Sequence, residues 1–455
     1  MENTPSQLAS VVPTLGWDLV YAVSTRALNT RLAATMSPVD MSTELDGASV
    51  LGTFDGWSVV PGGSGPRLNL QVLITNGVLT EEGVSTPFNG SVMVEVTLSF
   101  FFRGTTQALA VDCAGMSGEP FIVHRSHFNE ALTRLQRSTL ETAIEIWLQA
   151  HPALFEQALA LVDISPMESA LAHSWLRPTL VNYAYCDRSE DGEGILAVLA
   201  MTNDRPRPMH DGQVCATVIP PGLDAAFLIS PHLMLDWIIR PALASLYPIG
   251  NPATLVLEDN PPRLVLPAAI DIPAIEENGQ SYPAQLTQLN VVFSGSTLSC
   301  ESEVCVEKAA LLDYTHVRSR HELVVEHDTE GKPHILFVEA VQPVVTQSSE
   351  MKESYIRKTS DIANAVLLIG TALAFLITGP IGATIMLLSV TTYGIFKALP
   401  ALEYYMDRTE PHPVDLLSLN ATSVFAWTGG EAFQLESVSL VESLRLAGTP
   451  WSDPA

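Results

Sequence analysis

In "RLNLQVLI" the residues Leu68, Leu70, Val72 and Ile74 alternate with their neighbours, and in "SVMVEVTLSFFF" Val92, Val94, Val96, Leu98, Phe100 and Phe102 do the same. Successive side chains of a strand point to opposite faces, so this alternation predicts two long strands, antiparallel and covered on one side. The segment between Trp57 and Arg67, "WSVVPGGSGPR", is dense in turn residues and is expected to be a loop. A different spacing precedes them. Trp17, Val20, Tyr21, Ser24, Ala27, Leu28 and Leu32 recur at three- and four-residue steps, which predicts an amphipathic helix over "GWDLVYAVSTRALNTRLA", with Thr14 or Asp18 serving its N-terminus.

A second helix is expected from Phe128 to about Ala150, carrying Leu132, Leu135, Leu140, Ile144 and Trp147 and stopping before Pro152. "GILAVLAMT" reads as a buried strand, and "AAFLISPHLMLDWIIRPAL" as a short strand turning into a helix at Ser230 and Pro231. Beyond residue 251 strands return in "ATLVLED", "PRLVLPAAI", "LNVVFSG", "TLSCESEVCVE", "HELVVEHD" and "HILFVEAVQPVV". A helical stretch from about Ser348 is expected to follow, and "SVFAWTGG", "AFQLESVSL" and "LRLAG" close the chain as strands. The helices are too few and too unevenly placed for a parallel βαβ fold. The pattern instead predicts an α+β protein, predominantly antiparallel β, in which a curved sheet wraps a helix, twice over. The expected halves are residues 1–250 and 251–455.

Val366 to Phe396 carries no charged residue. Gly379 and Pro380 divide the apolar stretch 362–396 into two parts, each about 25 Å long if helical, which is short of a hydrocarbon layer of about 30 Å. Three readings stand side by side: a transmembrane span, a hairpin buried by the second sheet, and a hairpin released onto a membrane. For the last, Leu367, Leu368, Phe375, Leu376, Ile385 and Leu387 are the candidate membrane contacts. Flanking basic residues Arg357, Lys358, Lys397 and Arg408 give no orientation bias.

Charge narrows the function classes. With 50 acidic and 23 basic residues in 455, the formal charge is -27, which opposes a phosphate-neutralising grip on nucleic acid and opposes anionic bilayers. Five cysteines (Cys113, Cys186, Cys215, Cys300 and Cys305) are scattered without a CxxC pair, so neither a disulfide framework nor a zinc knuckle is indicated. The opening "MENTPSQLASVV" has no basic and apolar leader, and the expectation is synthesis in the cytoplasm without a signal peptide, with release or export by a non-classical route left open.

Catalytic and metal signatures are weak. Asp187 to Glu193 begins like a calcium loop but has Val198 where a bidentate Glu is required. His124 and His127 form HxxH without an acidic partner at metal spacing, His321 lacks a second His, and both are expected as ordinary polar residues at strand edges. Ser349 and Lys352 form an isolated SxxK on the expected helix, and no GxSxG or phosphate-binding glycine motif is present. The expectation is therefore a non-enzyme with no cofactor and no metal site.

"TLGWDLVYAVSTRALNTRL" followed by "WSVVPGGSGPRLNLQVLI" resembles the clostridial forty-seven-kilodalton and OrfX family of toxin gene clusters. Asn29, Trp57, "LAVLAMTN", "AAFLISPHLMLDWIIRPAL" and "FAWTGG" extend the resemblance along most of the chain. It implies a TULIP (tubular lipid-binding) architecture, with two halves each built from a long helix wrapped by a curved antiparallel sheet. It also implies an accessory role beside a bacterial toxin, insecticidal toxins included. The implied partners are a lipid or other apolar ligand, and other proteins encoded in the cluster. Residues that would line an apolar groove are Leu28, Leu32, Leu68, Leu70, Val94, Val96 and Leu98. The alternative is an assembly partner whose grooves are filled by its own side chains.

Overall fold

The computed structural model describes residues 11–104, 106–113, 121–129, 132–163, 174–188, 193–209, 211–241, 243, 254–277, 280–327, 333–352, 425–427 and 433–450. The chain forms two compact units. One comprises residues 14–228, 418–437 and 446–455, the other 1–13, 229–417 and 438–445.

The first unit opens on β1 (Leu19–Ser24) and α1 (Thr25–Thr35). A meander follows: β2 (Val39–Leu45), β3 (Ala48–Ser64), β4 (Arg67–Glu81), β5 (Val84–Arg103), β6 (Thr106–Val111) and β7 (Ile122–Phe128). Then come α2 (Arg134–Ala150), β8 (Ala160–Asp163), β9 (Pro178–Asp187), β10 (Gly194–Thr202) and β11 (Ala225–Ile229). A short helix α3 (Pro231–Leu233) passes into a π-helical turn over Met234–Ile239. The second unit continues with β12 (Val256–Asp259), β13 (Pro262–Val265), β14 (Ile270–Glu277), β15 (Gln280–Ser294), β16 (Thr297–Glu307), β17 (Leu311–His327) and β18 (Pro333–Met351). The closing strands are β19 (Phe425–Trp427), β20 (Gln434–Val441) and β21 (Ser443–Thr449).

Three sheets result. An eight-stranded sheet runs β19-β8-β6-β5-β4-β3-β2 with β7 also on β5; a six-stranded sheet runs β20-β21-β11-β1-β10-β9. The second unit's seven-stranded sheet runs β12-β13-β15-β16-β17-β18, with β14 also on β15. Every pairing with a described register is antiparallel, as the alternation predicted. All nine residues of β10 are buried, which explains why its sequence is a continuous apolar run instead of an alternating one.

Several expectations need correction. Only the latter half of the first predicted helix is helical. Leu19–Ser24 is a wholly buried strand, because Val20, Tyr21 and Val23 suit a pleated surface and find a partner in β10 that outweighs their helical spacing. The helix starts after Ser24, whose hydroxyl accepts from Ala27 N at 3.2 Å; neither Thr14 nor Asp18 caps it. The stretch from Trp57 to Ser64 is strand, not loop, with Gly62 and Gly63 falling in the register shift between Val60 and Ser64 of β3 against β4. Residues 348–351 extend β18, so Ser349 lies on a strand and not on a helix. Leu135 is 74% exposed and Phe102 is 73% exposed, so neither belongs to the covered face assigned to it.

The second helix begins at Arg134, with Thr133 and Gln136 forming a reciprocal capping box, and it ends at Ala150 as expected. The apolar stretch 362–396 lies outside the described residues. So do its candidate membrane contacts Leu367, Leu368, Phe375, Leu376, Ile385 and Leu387. Among the described residues, no helix is long and apolar enough to cross a membrane.

Candidate functional site

The residues expected to line a groove occupy one side of the eight-stranded sheet and the helix α1. Leu68 stands directly opposite Val96 and Leu70 opposite Val94 across β4 and β5, which makes a compact apolar block; Leu98 continues the row on β5, opposite Val111 of β6. Helix α1 contributes Leu28 and Leu32. Its position is fixed by Asn29, whose amide donates to Val59 O at 2.7 Å and whose carbonyl accepts from Val59 N at 2.7 Å. Val59 in turn faces Leu70 in the β3–β4 register. None of the seven residues is more than 4% exposed, so the block is covered within the unit, with Leu98 at its margin also reaching the wall of a cleft beside β9.

The other residues that carried the resemblance are structural anchors. Asp18 is fully buried, and one carboxylate oxygen accepts from Thr202 N at 2.9 Å and from its hydroxyl at 3.1 Å while the other pairs with the Arg205 guanidinium. A carboxylate so deep is tolerable only with such a full set of donors. The Trp57 indole stacks on Phe155 with ring centroids 5.9 Å apart and donates to Leu154 O at 3.3 Å. Tyr21 meets Phe227 at 5.7 Å and Trp427 at 5.6 Å, which gives Trp427 a place in the same aromatic cluster.

Side chains singled out for chemistry are dispersed. Asp187 accepts from Gly62 N at 2.9 Å and from the Tyr185 hydroxyl at 2.7 Å, a use as a strand-end anchor. His124 and His127 lie exposed on β7, and His124 approaches Glu95 at 3.4 Å. His321 is not at a surface edge but fully buried, with Nε2 3.0 Å from the Ser319 hydroxyl, and burial lowers its imidazole to about 4. Ser349 donates to Asp313 at 2.6 Å and Lys352 pairs with Glu307 at 2.7 Å, which separates the two ends of SxxK.

Burial also raises the thiols of Cys186 and Cys300 to about 12 and that of Cys113 to about 11, so at neutral pH each is a protonated, weakly nucleophilic thiol. Among the described residues, no group of three or more His, Cys, Asp and Glu side chains is placed to hold a metal ion.

A cleft of about 740 Å³ opens within the first unit, between β5 and the edge strand β9. Its walls are Leu98, Ser99 and Phe100 on one side and Pro178–Tyr183 on the other, with Arg177, Asp204 and Arg207 near them. The Tyr183 hydroxyl pins the two sides together, accepting from Leu98 N at 2.8 Å and donating to Pro66 O at 2.8 Å. Burial pushes that phenol up to about 12, against the lowering effect of the Leu98 bond. Hydropathy alternation singled out Leu98, but nothing in it marked β9 as the opposite wall.

The sequence profile of the family described as "OrfX-like: Protein OrfX2/OrfX3/P47" matches residues 14–448. The chain belongs to this OrfX-like family. Among its relatives, an OrfX3 protein of Paraclostridium bifermentans is 22% identical, covering 96% of this chain and 98% of the relative. An OrfX3 protein of Clostridium botulinum (strain Kyoto / Type A2) is 24% identical with the same two coverages. The solved structure of P47 from Clostridium botulinum A2 superposes with a TM-score of 0.68 at 17% identity, over 96% of this chain and 98% of that one. At that identity the likeness speaks for the fold alone. The fold is thus mostly antiparallel sheet with few helices, and Asp18 and Asn29 act within it as ties between elements.

Proposed function

We propose that this OrfX-like protein is a non-enzymatic accessory of a bacterial toxin system and works by assembling with other proteins of its gene cluster. The observation that carries this reading is the closed apolar block. The seven residues best suited to line a lipid groove are buried among the protein's own side chains, leaving the surface to act on partners. Family membership supports an accessory role, in keeping with the resemblance to toxin-cluster proteins. Co-expression with the products of neighbouring genes tests it: a partner should comigrate with the chain through size exclusion at moderate salt. Separate elution of the chain from every neighbour would refute it.

A second reading keeps the tubular lipid-binding arrangement, with an apolar ligand held between α1 and the sheet. The specific observation in its favour is the convergence of Leu68, Leu70, Val94 and Val96 in paired register beside a helix joined to β3 through Asn29. Each methylene of an acyl chain buried there contributes about 0.8 kcal/mol, offset by the opening of contacts already made.

A further inference from the structure

We propose that the cleft between β5 and β9 is a binding site for a neutral glycan, with a sugar ring resting its C–H face on Phe102 and a hydroxyl donating to the side-chain carbonyl of Gln107. The inference is independent of the assembly reading and assigns the chain a second kind of ligand. Two features at the mouth of the cleft are left over by the packing of the unit. Phe102 is 73% exposed, although an aromatic ring of that size is ordinarily part of a core or an interface. Gln107 lines the cleft, and its Oε1 is buried without a hydrogen-bond donor. A buried acceptor left unpaired costs the desolvation of the group, which a bound hydroxyl would recover. The β5–β6 register brings the two residues together: Phe102 stands directly opposite Gln107, and Phe100 opposite Leu109. Side chains alternate along a strand, so Leu98, Phe100 and Phe102 share one face with Gln107. Leu98 and Phe100 line the cleft, and the exposed ring continues their row to its mouth.

The charge of the walls selects the class of ligand. Arg207 pairs with Asp211 at 3.0 Å, Asp204 adds a second carboxylate to the same wall, and Arg177 is already engaged within the protein. Asp211 also accepts from the Asn182 amide. Cations and anions balance, so neither an acidic nor a basic ligand is favoured. What the cleft offers a neutral ligand is a set of short polar groups, Ser99, Gln107 and Asn182, beside the rings of Phe100 and Phe102. A hydrocarbon chain would leave the Gln107 carbonyl unpaired, and a small ion would leave Phe102 bare. A pyranose ring satisfies both, because its faces carry C–H groups and its rim carries hydroxyls that donate and accept. The volume of about 740 Å³ lies within the range of small-ligand clefts. The Tyr183 hydroxyl, bonded to Leu98 N and to Pro66 O at 2.8 Å each, holds the two walls together before a ligand arrives, so little ordering is needed on binding.

A printed array of neutral, sialylated and sulfated oligosaccharides probed with the full chain tests this directly. Neutral glycans should be retained. Phe102→Ala alters a ring that the unit does not cover, so the fold should persist while affinity for a retained glycan falls by roughly tenfold. Gln107→Leu gives a sharper result, because it removes the orphaned acceptor: the urea midpoint should hold or rise while affinity again falls by roughly tenfold. Should that variant fold poorly, single-deoxy analogues of the retained glycan supply the same test against the unaltered chain, with one hydroxyl position losing binding by roughly tenfold. The proposal is overturned if no neutral glycan is retained, if only the sialylated or sulfated ones are, or if Phe102→Ala binds like the unaltered chain. Loss of a comigrating partner on Phe102→Ala, with no glycan retained, would make the exposed ring a polypeptide contact instead. A partner that still comigrates when no glycan binds would leave the assembly reading standing and the glycan site excluded.

Discussion

Asp18 shows how a single buried charge can organise a strand junction. It lies one residue before β1 and gathers the backbone and hydroxyl of Thr202 together with Arg205, so its carboxylate closes the far end of β10. Asp18→Ala leaves these donors without their acceptor and should destabilise the protein by about 3 kcal/mol, measured as a shift in urea midpoint at constant slope. His321 has the opposite character, a titratable group kept neutral by its surroundings. Its folded value of about 4 lies below the ordinary 6.5, so on acidification the unfolded chain takes up a proton before the folded chain does. The stability it protects is complete above pH 6.5 and drains away as the pH falls toward 4, by about 3 kcal/mol in total. His321→Gln should flatten the stability profile over that window; an unchanged slope would mean that other groups govern it.

At the scale of elements, local chemistry decides where helices begin. The capping box of α2 joins Thr133 Oγ1 to Gln136 N at 3.2 Å and Gln136 Oε1 to Thr133 N at 3.1 Å. Thr133→Ala should cost about 1 kcal/mol in thermal or urea unfolding, and Thr133→Ser should restore most of it. Strands with one apolar face, such as β4 and β16, were legible in the sequence because alternation is sufficient evidence for them. β1 was not, because a strand covered on both faces loses its alternation and imitates a helix over one or two turns. β17 hid a different feature. Its inward positions include Asp313, Thr315, Ser319 and His321, so hydropathy alone placed His321 outside the core. The β9 edge was invisible for a further reason: which strand ends a sheet depends on pairings between segments far apart in the chain, and no local pattern records them.

At the scale of the whole molecule, a covered apolar interior among the described residues lies within a chain of strongly acidic net charge. The interior candidates Leu28, Leu32, Leu68, Leu70, Val94, Val96 and Leu98 were all recognisable from sequence, but their mutual coverage was not, since burial is a property of the assembled unit. A formal charge of -27 opposes binding to anionic membranes, so an electrostatic grip on such a surface is not expected. The most direct test is native mass spectrometry of the chain co-expressed with its gene neighbours and purified without detergent. The expected result is a complex whose mass is that of the chain plus a partner polypeptide, with no lipid-sized increment. A chain that appears alone and carries a stoichiometric lipid would contradict it.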